Sequence, residues 1–568
     1  MEDNTSTLKE KNSEFSLSSA TSANPSLITT IYKNEAELQE TTITDESSTR
    51  SPSPALDSNP PNPIEPEPPS VATEPPYHVL THRGKLLLVL LVSLGATFSP
   101  LSSNIYFPTL DLIADTLNIS NEAVASTITI YMVAQGLAPS VWGPLADCLG
   151  RRQILIYTLT LYVGANIGLA LSNNLAMLLL FRFIQAAGSS STISIGAGVI
   201  ADIAPPAERA GFIGIFAGVR QFSMAIGPVI GGLLGGTFGF RSIFWFLIIL
   251  GGFATITIAL LLPETLRRIA GNGEITLTGW RYRSLYDKLW PAKNPSQATP
   301  QDEATSRDRS PKITVRIFFE PLLFLFEKDV GCTLCFGAVI YTVWSMVTSS
   351  TTTLLFKTYG LSVIETGLCF LPNGIGCVVG STIAGRIMDI DFKHAADSYR
   401  ADHGLLASHP LPKHQLPRDF PLERARLAQL PTMVSFFIFG VLVYGWSLNP
   451  NTTLALPLIA QFVIGFSSTA VLNLNNTLTI DLYPGKGAGA TAVNNLARCS
   501  FGAVGVALTE VALAKIGPGT LFLILACVVV AATPLAWAEW VYGTKWRADR
   551  MDRIASKTEK KAQAEMRV

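Results

Sequence analysis

Residues 86–107 read LLLVLLVSLGATFSPLSSNIYF, twenty-two positions with no charged side chain. A helix needs about 20 apolar residues to cross the hydrocarbon core of a bilayer, so Leu86 to Phe107 is long enough to do so. The same signal recurs at short intervals, at Ala123 to Ala146, Ile154 to Leu171, Leu175 to Ala201, Gly211 to Phe238 and Ser242 to Pro263. Hydropathy then collapses, and from Thr265 to about Lys328 the chain is polar and charged. Six more runs follow: Val330 to Phe356, Thr366 to Gly385, Met433 to Leu448, Leu454 to Ile480, Gly487 to Thr509 and Thr520 to Val541. Two sets of six around one hydrophilic break predict an all-α membrane protein of twelve transmembrane helices. Its two six-helix halves would be related by a pseudo-two-fold axis, as in transporters built from parallel repeats.

This pattern divides the 568 residues. Residues 1–82 are a polar tail with ten prolines between Ser51 and Pro76, unable to bury enough apolar area to offset ordering entropy, and are expected to be disordered. The halves are 83–264 and 330–543, joined by a 265–329 linker, with a long loop at 390–430 and a 544–568 tail. Only 15% of the residues are charged, well below the quarter usual in soluble domains. Lys+Arg and Asp+Glu both number 42, so net charge points to no nucleic-acid partner.

Orientation follows from lysine and arginine. With a cytosolic N-terminus, the outer loops near 108–122, 172–174, 239–241, 357–365, 449–453 and 510–519 hold only Arg241, Lys357 and Lys515. Both termini are therefore expected in the cytosol, with the plasma membrane as the expected location and the vacuolar membrane as the alternative. Asn118 and Asn451 head N-glycosylation sequons in outer loops.

Several patterns carry no chemistry. Cys332-x-x-Cys335 opens an apolar run with no second cysteine pair or histidine nearby, so it reads as small residues in a membrane helix. The remaining cysteines, Cys148, Cys369, Cys377, Cys499 and Cys527, imply no disulfide framework. All six histidines lie in tails or loops, so neither a metal site nor a nucleophile–base pair is expected in the membrane. Gly485-Lys486-Gly487 lacks the spacing of a phosphate loop. The expectation is a transporter with no cofactor and no enzymatic activity.

The loop after the second run reads Gly143-Pro-Leu-Ala-Asp147-Cys-Leu-Gly150-Arg151-Arg152. This resembles the G-x-L-A-D-x-x-G-R-[RK] signature of the major facilitator superfamily, which implies a cytosolic latch holding the outward-open state. Gly385, Arg386 and Asp389 fit a degenerate copy in the second half. Arg182 and Gln185 resemble the family's R-x-x-Q-G motif, which implies a role in proton coupling. Gly227, Pro228, Gly231 and Gly232 resemble its G-P-x-x-G-G motif, which implies exchange of substrate for protons. Ser99 to Pro108, and Asp481 to Lys486 with Asn494, Asn495 and Arg498, are similar to twelve-span drug:proton antiporters of the fungal quinidine-resistance type. The resemblance covers about residues 80–550.

Arg182, Arg220 and Arg498 lie deep in the spans, Glu510 stands at the outer end of the eleventh, and the first half has no mid-span carboxylate. A desolvated cationic cargo would need an intramembrane counter-charge, so this pattern favours an anionic or neutral cargo. Asn104, Tyr131, Gln135, Tyr341, Trp344, Asn373, Asn494 and Asn495 are candidates to line the cavity with the arginines. The expected activity is proton-coupled export of a small organic metabolite, organic acid or drug-like compound by a monomer working through alternating access. A facilitator or importer on the same scaffold, and a transport-dead sensor, are the alternatives.

Overall fold

A computed structural model describes residues 78–273, 275–276, 296–297, 327–406, 417–448, 452–482 and 487–565. The tail before His78, most of the 265–329 linker, Asn451 and Lys486 lie outside these residues.

The first half contains α1 (His82–Asn104), α2 (Asn121–Leu149), α3 (Arg151–Ala170), α4 (Leu175–Ile203), α5 (Pro206–Phe238) and α6 (Arg241–Leu261). The second contains α7 (Lys328–Tyr359), α8 (Leu371–Asp402), α9 (Leu430–Ser447), α10 (Ala455–Leu482) and a continuous helical stretch, Gly487–Glu565. That stretch is two helices, α11 and α12, meeting at Gly517, where φ is +75°. Only glycine adopts this conformation readily. Among the described residues eleven helical segments are long and apolar enough to cross a membrane, and the last, Thr491–Arg553, holds both α11 and α12, which makes twelve. In hydrocarbon every backbone N–H must be bonded within its own element, which is why the spans are helices. Two two-residue strands, Ile275–Thr276 and Ser296–Gln297, pair in parallel within the linker.

Helix boundaries follow local chemistry. Thr81, Ser120 and Asn174 cap α1, α2 and α4 by accepting backbone N–H groups of their first turns. A short helix, Val363–Cys369, precedes α8 and starts in a capping box between Ser362 and Glu365. Two of the boundaries that differ from the hydropathy reading flank the loop expected at 390–430. Helix α8 continues to Asp402 where a loop was expected from 390, because Phe392, Ala396 and Tyr399 keep one face buried after the apolar run has ended. The ninth span starts before Met433, since Leu422–Leu427 is already helical and α9 begins at Leu430.

The buried apolar side chains show two halves. One cluster draws only on residues between Leu88 and Leu262, and another only on residues between Val330 and Ala536. Packing repeats between them: α2 lies on α4 as α8 lies on α10, and α3 on α4 as α9 on α10. A third cluster bridges the halves through Phe107, Leu110, Ile128 and Met132 on one side and Phe370, Ala503 and Val506 on the other.

The bundle has one end carrying the starts of α1 and α7, here the terminal end, and an opposite far end. At the far end Phe107 stacks on Phe370 at 6.1 Å, and the Thr352 hydroxyl donates to the Phe107 carbonyl at 2.8 Å. Gly232 of α5 meets Gly367, so closely that a Cβ on Gly232 would sit 2.9 Å from the Gly367 Cα. At mid-depth Asn495 donates to the Gln135 carbonyl at 2.7 Å, and Gly136 faces Cys499. Glycines let these backbones approach where no hydrophobic drive operates between helices in lipid. Gly227 and Gly231 do the same within the first half, against Asn104 and Ile105 of the α1 end.

His78 lies against Gly273, and Val79 donates to the Asn272 carbonyl at 3.0 Å, tying the start of the described chain to the start of the linker. Burial pushes the His78 imidazole down to about 4, with Arg267 and Lys85 adding to the effect. The neutral ring is therefore the folded form, and its stabilisation is present above the ordinary histidine value and lost as pH falls from there toward 4. Amide exchange at Val79 and Leu80 should accelerate as pH falls through this window beyond the intrinsic pH trend, and His78→Gln should flatten that response.

The glycine packing of α5 makes a second prediction. In Gly231→Leu, Cβ would collide with the Ile105 carbonyl oxygen, whereas in Gly214→Ala it would meet nothing within 4 Å. Overpacking costs about 1–3 kcal/mol, so the leucine variant should melt well below the parent in detergent. The alanine variant should melt at or above it.

Candidate functional site

Between the halves lies a cavity with roughly 960 Å3 of non-atom space, open solvent included. The first half lines it with Ser99, Ser103, Asn104, Gln135, Arg220 and Gln221, and the second with Tyr341, Trp344, Ser345, Thr348, Asn473 and Arg498, among others. Among the described residues no Asp or Glu lines it.

The two arginines come one from each half. Arg498 is held by the side-chain amide oxygen of Asn495, to which its Nε and Nη2 donate at 3.2 and 2.8 Å, and its guanidinium lies 5.1 Å from the Tyr341 ring centroid. Arg220 has no hydrogen-bond or ion-pair partner among the described residues, and Arg498 is close enough for its field to act on it. Two cations without a carboxylate repel each other, and an anion between them would relieve that cost.

Of the candidates read from sequence, Asn104, Gln135, Arg220, Tyr341, Trp344 and Arg498 line the cavity. Asn373, Asn494, Asn495, Tyr131 and Arg182 do not. Asn373 accepts the Trp344 indole N–H at 3.4 Å and donates to the Gln461 carbonyl, so it holds a lining residue in place. Asn494 donates to Asn476 at 3.1 Å. Arg182 is 1% exposed inside the first half. Its guanidinium lies 3.7 Å from the Tyr106 ring centroid and 4.8 Å from that of Tyr131. It donates to Gln185 at 2.8 Å and to the Ser102 carbonyl at 3.2 Å, and Gln185 in turn donates to Asn166 at 2.7 Å. The arginine that resembles a coupling residue is thus enclosed by aromatic faces and amides. Lining hydroxyls at Ser99, Ser103, Ser345, Thr348, Ser468 and Thr469 escaped the sequence reading. The Ser/Thr run through α7 was the visible signal for Ser345 and Thr348. Glu510 lines a separate small pocket at the far end and accepts from Thr353 at 3.4 Å.

The latch loop is a charge network at the terminal end. Arg151 pairs with Asp147 at 2.5 Å and with Asp202 at 3.1 Å. Glu264 accepts the backbone N–H groups of Arg151 and Arg152 at 2.9 and 3.3 Å, at the N-terminus of α3. Gly150 has φ +114°, and a Cβ there would sit 2.5 Å from a Glu264 carboxylate oxygen, so both conformation and space require glycine. Arg268 donates to the Asp147 and Cys148 carbonyls at 3.1 and 2.8 Å. A Cβ on Gly143 would meet nothing within 4 Å among the described residues. Asp202 and Glu264 were not legible as partners because they lie 51 and 113 residues from Arg151.

The second half corrects the expected copy. Arg386 and Asp389 are exposed on α8, with no hydrogen-bond or ion-pair partner among the described residues. A Cβ on Gly385 would meet nothing within 4 Å. The structural counterpart of Arg151–Asp202 is Arg426–Asp481, at 2.8 Å, which joins the start of the ninth span to the end of the tenth.

A family model described as Major Facilitator Superfamily matches residues 92–506. The chain belongs to this superfamily. It is 46% identical over 505 residues to "Citrate exporter 1" of Aspergillus niger, covering 87% of this chain and 93% of that one. It is 32% identical over 493 residues to "Quinidine resistance protein 1" of Saccharomyces cerevisiae, covering 84% and 86%. The solved human organic anion transporter MFSD10 aligns at 15% identity and a TM-score of 0.49, covering 80% of this chain and 99% of that one. The chain is a multi-pass membrane transporter of small molecules, not an enzyme.

In the latch, Asp147 is half-exposed and Glu264 is 6% exposed. Exposed ion pairs contribute about 1 kcal/mol or less, whereas emptying a buried charge site costs about 3–5 kcal/mol. Asp147→Asn should insert and melt nearly as the parent does while losing transport. Glu264→Ala should lower the melting temperature markedly. Normal flux in Asp147→Asn would remove the latch role.

Proposed function

We propose that this transporter exports a small organic polycarboxylate, of the citrate class, from the cytosol in exchange for protons. The observation that carries the reading is the pair Arg220 and Arg498, facing one cavity from opposite halves with no lining carboxylate among the described residues. Guanidinium groups bind carboxylates through paired charge-assisted hydrogen bonds. The Ser, Asn and Gln groups around them supply further donors for carboxylate and hydroxyl oxygens. The citrate exporter relative supports the same class.

Direction and orientation belong to the same proposal. The lysine and arginine asymmetry puts the terminal end in the cytosol, and 265–329 then serves as the cytosolic connector of halves 83–264 and 330–543. The inter-half contacts described above lie at mid-depth and at the far end, which suits a state closed to the outside and accessible from the cytosol. Asn118 is exposed at the far end, in a left-handed C-cap conformation with φ +53°, where glycosylation enzymes would reach it. The protein acts as a monomer in the plasma membrane on this reading.

The test is flux of labelled citrate from purified proteoliposomes, with a quaternary amine as the competing cargo. Arg220→Gln and Arg498→Gln should each weaken citrate binding by about 2 kcal/mol or more, roughly thirtyfold. Collapse of the pH gradient should stop uphill export, whereas a facilitator would still equilibrate its cargo. Strong transport of the amine with none of any acid would overturn the proposal.

A further inference from the structure

The terminal end of the second half buries a second cluster of charges that no motif marks. Asp329 of α7, Glu423 of the short helix before α9, and Glu539 of α12 are 1%, 0% and 0% exposed. They meet two arginines of α12. Arg550 pairs with Asp329 at 2.9 Å, and Arg547 pairs with Glu423 at 3.1 Å. Both guanidinium groups are also anchored on carbonyls, Arg547 on that of Phe420 and Arg550 on that of Leu482 at 3.0 Å. Thr544 donates to the second Glu423 oxygen at 3.0 Å.

Glu539 is left over. Among the described residues neither of its carboxyl oxygens has a hydrogen-bond partner, although both are buried. A Cβ on Gly543 would sit 2.9 Å from Glu539 Oε1 and 2.6 Å from Glu423 Cγ, so the two acids share one space, which glycine leaves free. The groups facing Glu539 are Asp329 and Cys332 from α7, Glu423 from the short helix, and Arg547 and Arg550 from its own helix. Three carboxyls against two guanidiniums leave one negative charge uncompensated if all are ionised. An unpaired buried carboxylate is costly enough that such a group takes up a proton instead.

We propose that Glu539 is a proton-binding site of the second half: a carboxyl that holds a proton in this state and gives it up when Arg547 or Arg550 is freed to face it. The site supplies the titratable acid that the central cavity lacks. It lies on the side assigned to the cytosol, and its role in exchange rests on the proton-coupled reading above. Proton occupancy itself does not depend on that reading. When Glu539 loses its proton, the cluster must re-pair, and re-pairing moves α12 relative to α7 and the α9 entry. Protonation is thereby tied to the packing of the half that carries Arg498.

Infrared spectroscopy of the full chain in lipid nanodiscs decides the matter. A carboxylic-acid carbonyl band present at neutral pH should vanish in Glu539→Gln and persist in Glu423→Gln. Because glutamine mimics the protonated acid, Glu539→Gln should melt like the parent at neutral pH, whereas Glu423→Gln should melt lower. In proteoliposomes the flux of Glu539→Gln should no longer respond to an imposed pH gradient. An unchanged acid band in Glu539→Gln, or a raised melting temperature from removal of a third negative charge, would overturn the proposal. Should Glu539→Gln fail to fold, Glu539→Asp keeps the acid and must shift the band. Absence of citrate transport with loss of the band would defeat the cargo reading and leave the proton site standing.

Discussion

A charge taken out of water needs a compensating partner, and this requirement organises the polar interior of the molecule. Arg182 is enclosed by Tyr106, Tyr131, Gln185 and the Ser102 carbonyl. Arg151 is divided between Asp147 and Asp202, and Arg426 is given to Asp481. These groups are compensated within one half and so can travel with it as a rigid body. Charge without a partner of opposite sign among the described residues remains at Arg220 and Arg498, the site proposed for the anion, and at Glu539, the site proposed for the proton. In a low-dielectric interior the energetic contrast between the two situations is several kcal/mol per group, enough to separate structural charges from working ones.

The apolar runs and the polar break between them made the fold legible, because a bilayer imposes length and composition on each span directly. The same is true of the glycine motif of α5, whose residues Gly227, Gly231 and Gly232 meet Asn104, Ile105 and Gly367. Much of the site was not legible, for one physical reason. Charge partners in a helical bundle come from helices distant in sequence, so Glu264, Asp202 and Asp481 gave no local signal beside the arginines they serve. Sequence position also misjudged depth. Arg386 and Asp389 stand where a repeat of the latch was expected but are exposed on a helix that continues past the apolar run to Asp402. Arg182 looked like a cavity residue because a mid-span charge usually faces one, and it faces aromatic rings instead. Arg220 and Arg498 were found by the same reasoning and do face the cavity, so burial in a span alone could not separate these cases.

The seam between halves is built from contacts suited to being broken. Phe107 on Phe370, Thr352 on a carbonyl, and glycine against glycine are each modest, and none buries an ion pair. Separating them at the far end would expose backbone and aromatic surface without stranding a charge. Each half keeps its own apolar core through such a movement, since those cores draw on separate residues.

The division of the two cavity arginines between halves has a consequence for the cycle. A ligand shifts a conformational equilibrium only by its difference in affinity between states. An anion bound by residues of one half would travel with that half and favour neither state. An anion reaching Arg220 and Arg498 together is bound most tightly when both halves close on it, so its charge favours the occluded intermediate. Without the anion, repulsion between the guanidiniums opposes the same closure. Cargo of the correct charge then lowers the barrier between inward-facing and outward-facing states, while the empty carrier is held from crossing by its own electrostatics. The proposed exchange requires that asymmetry, and the proton-dependent return in that proposal would have to act on closure from elsewhere in the second half.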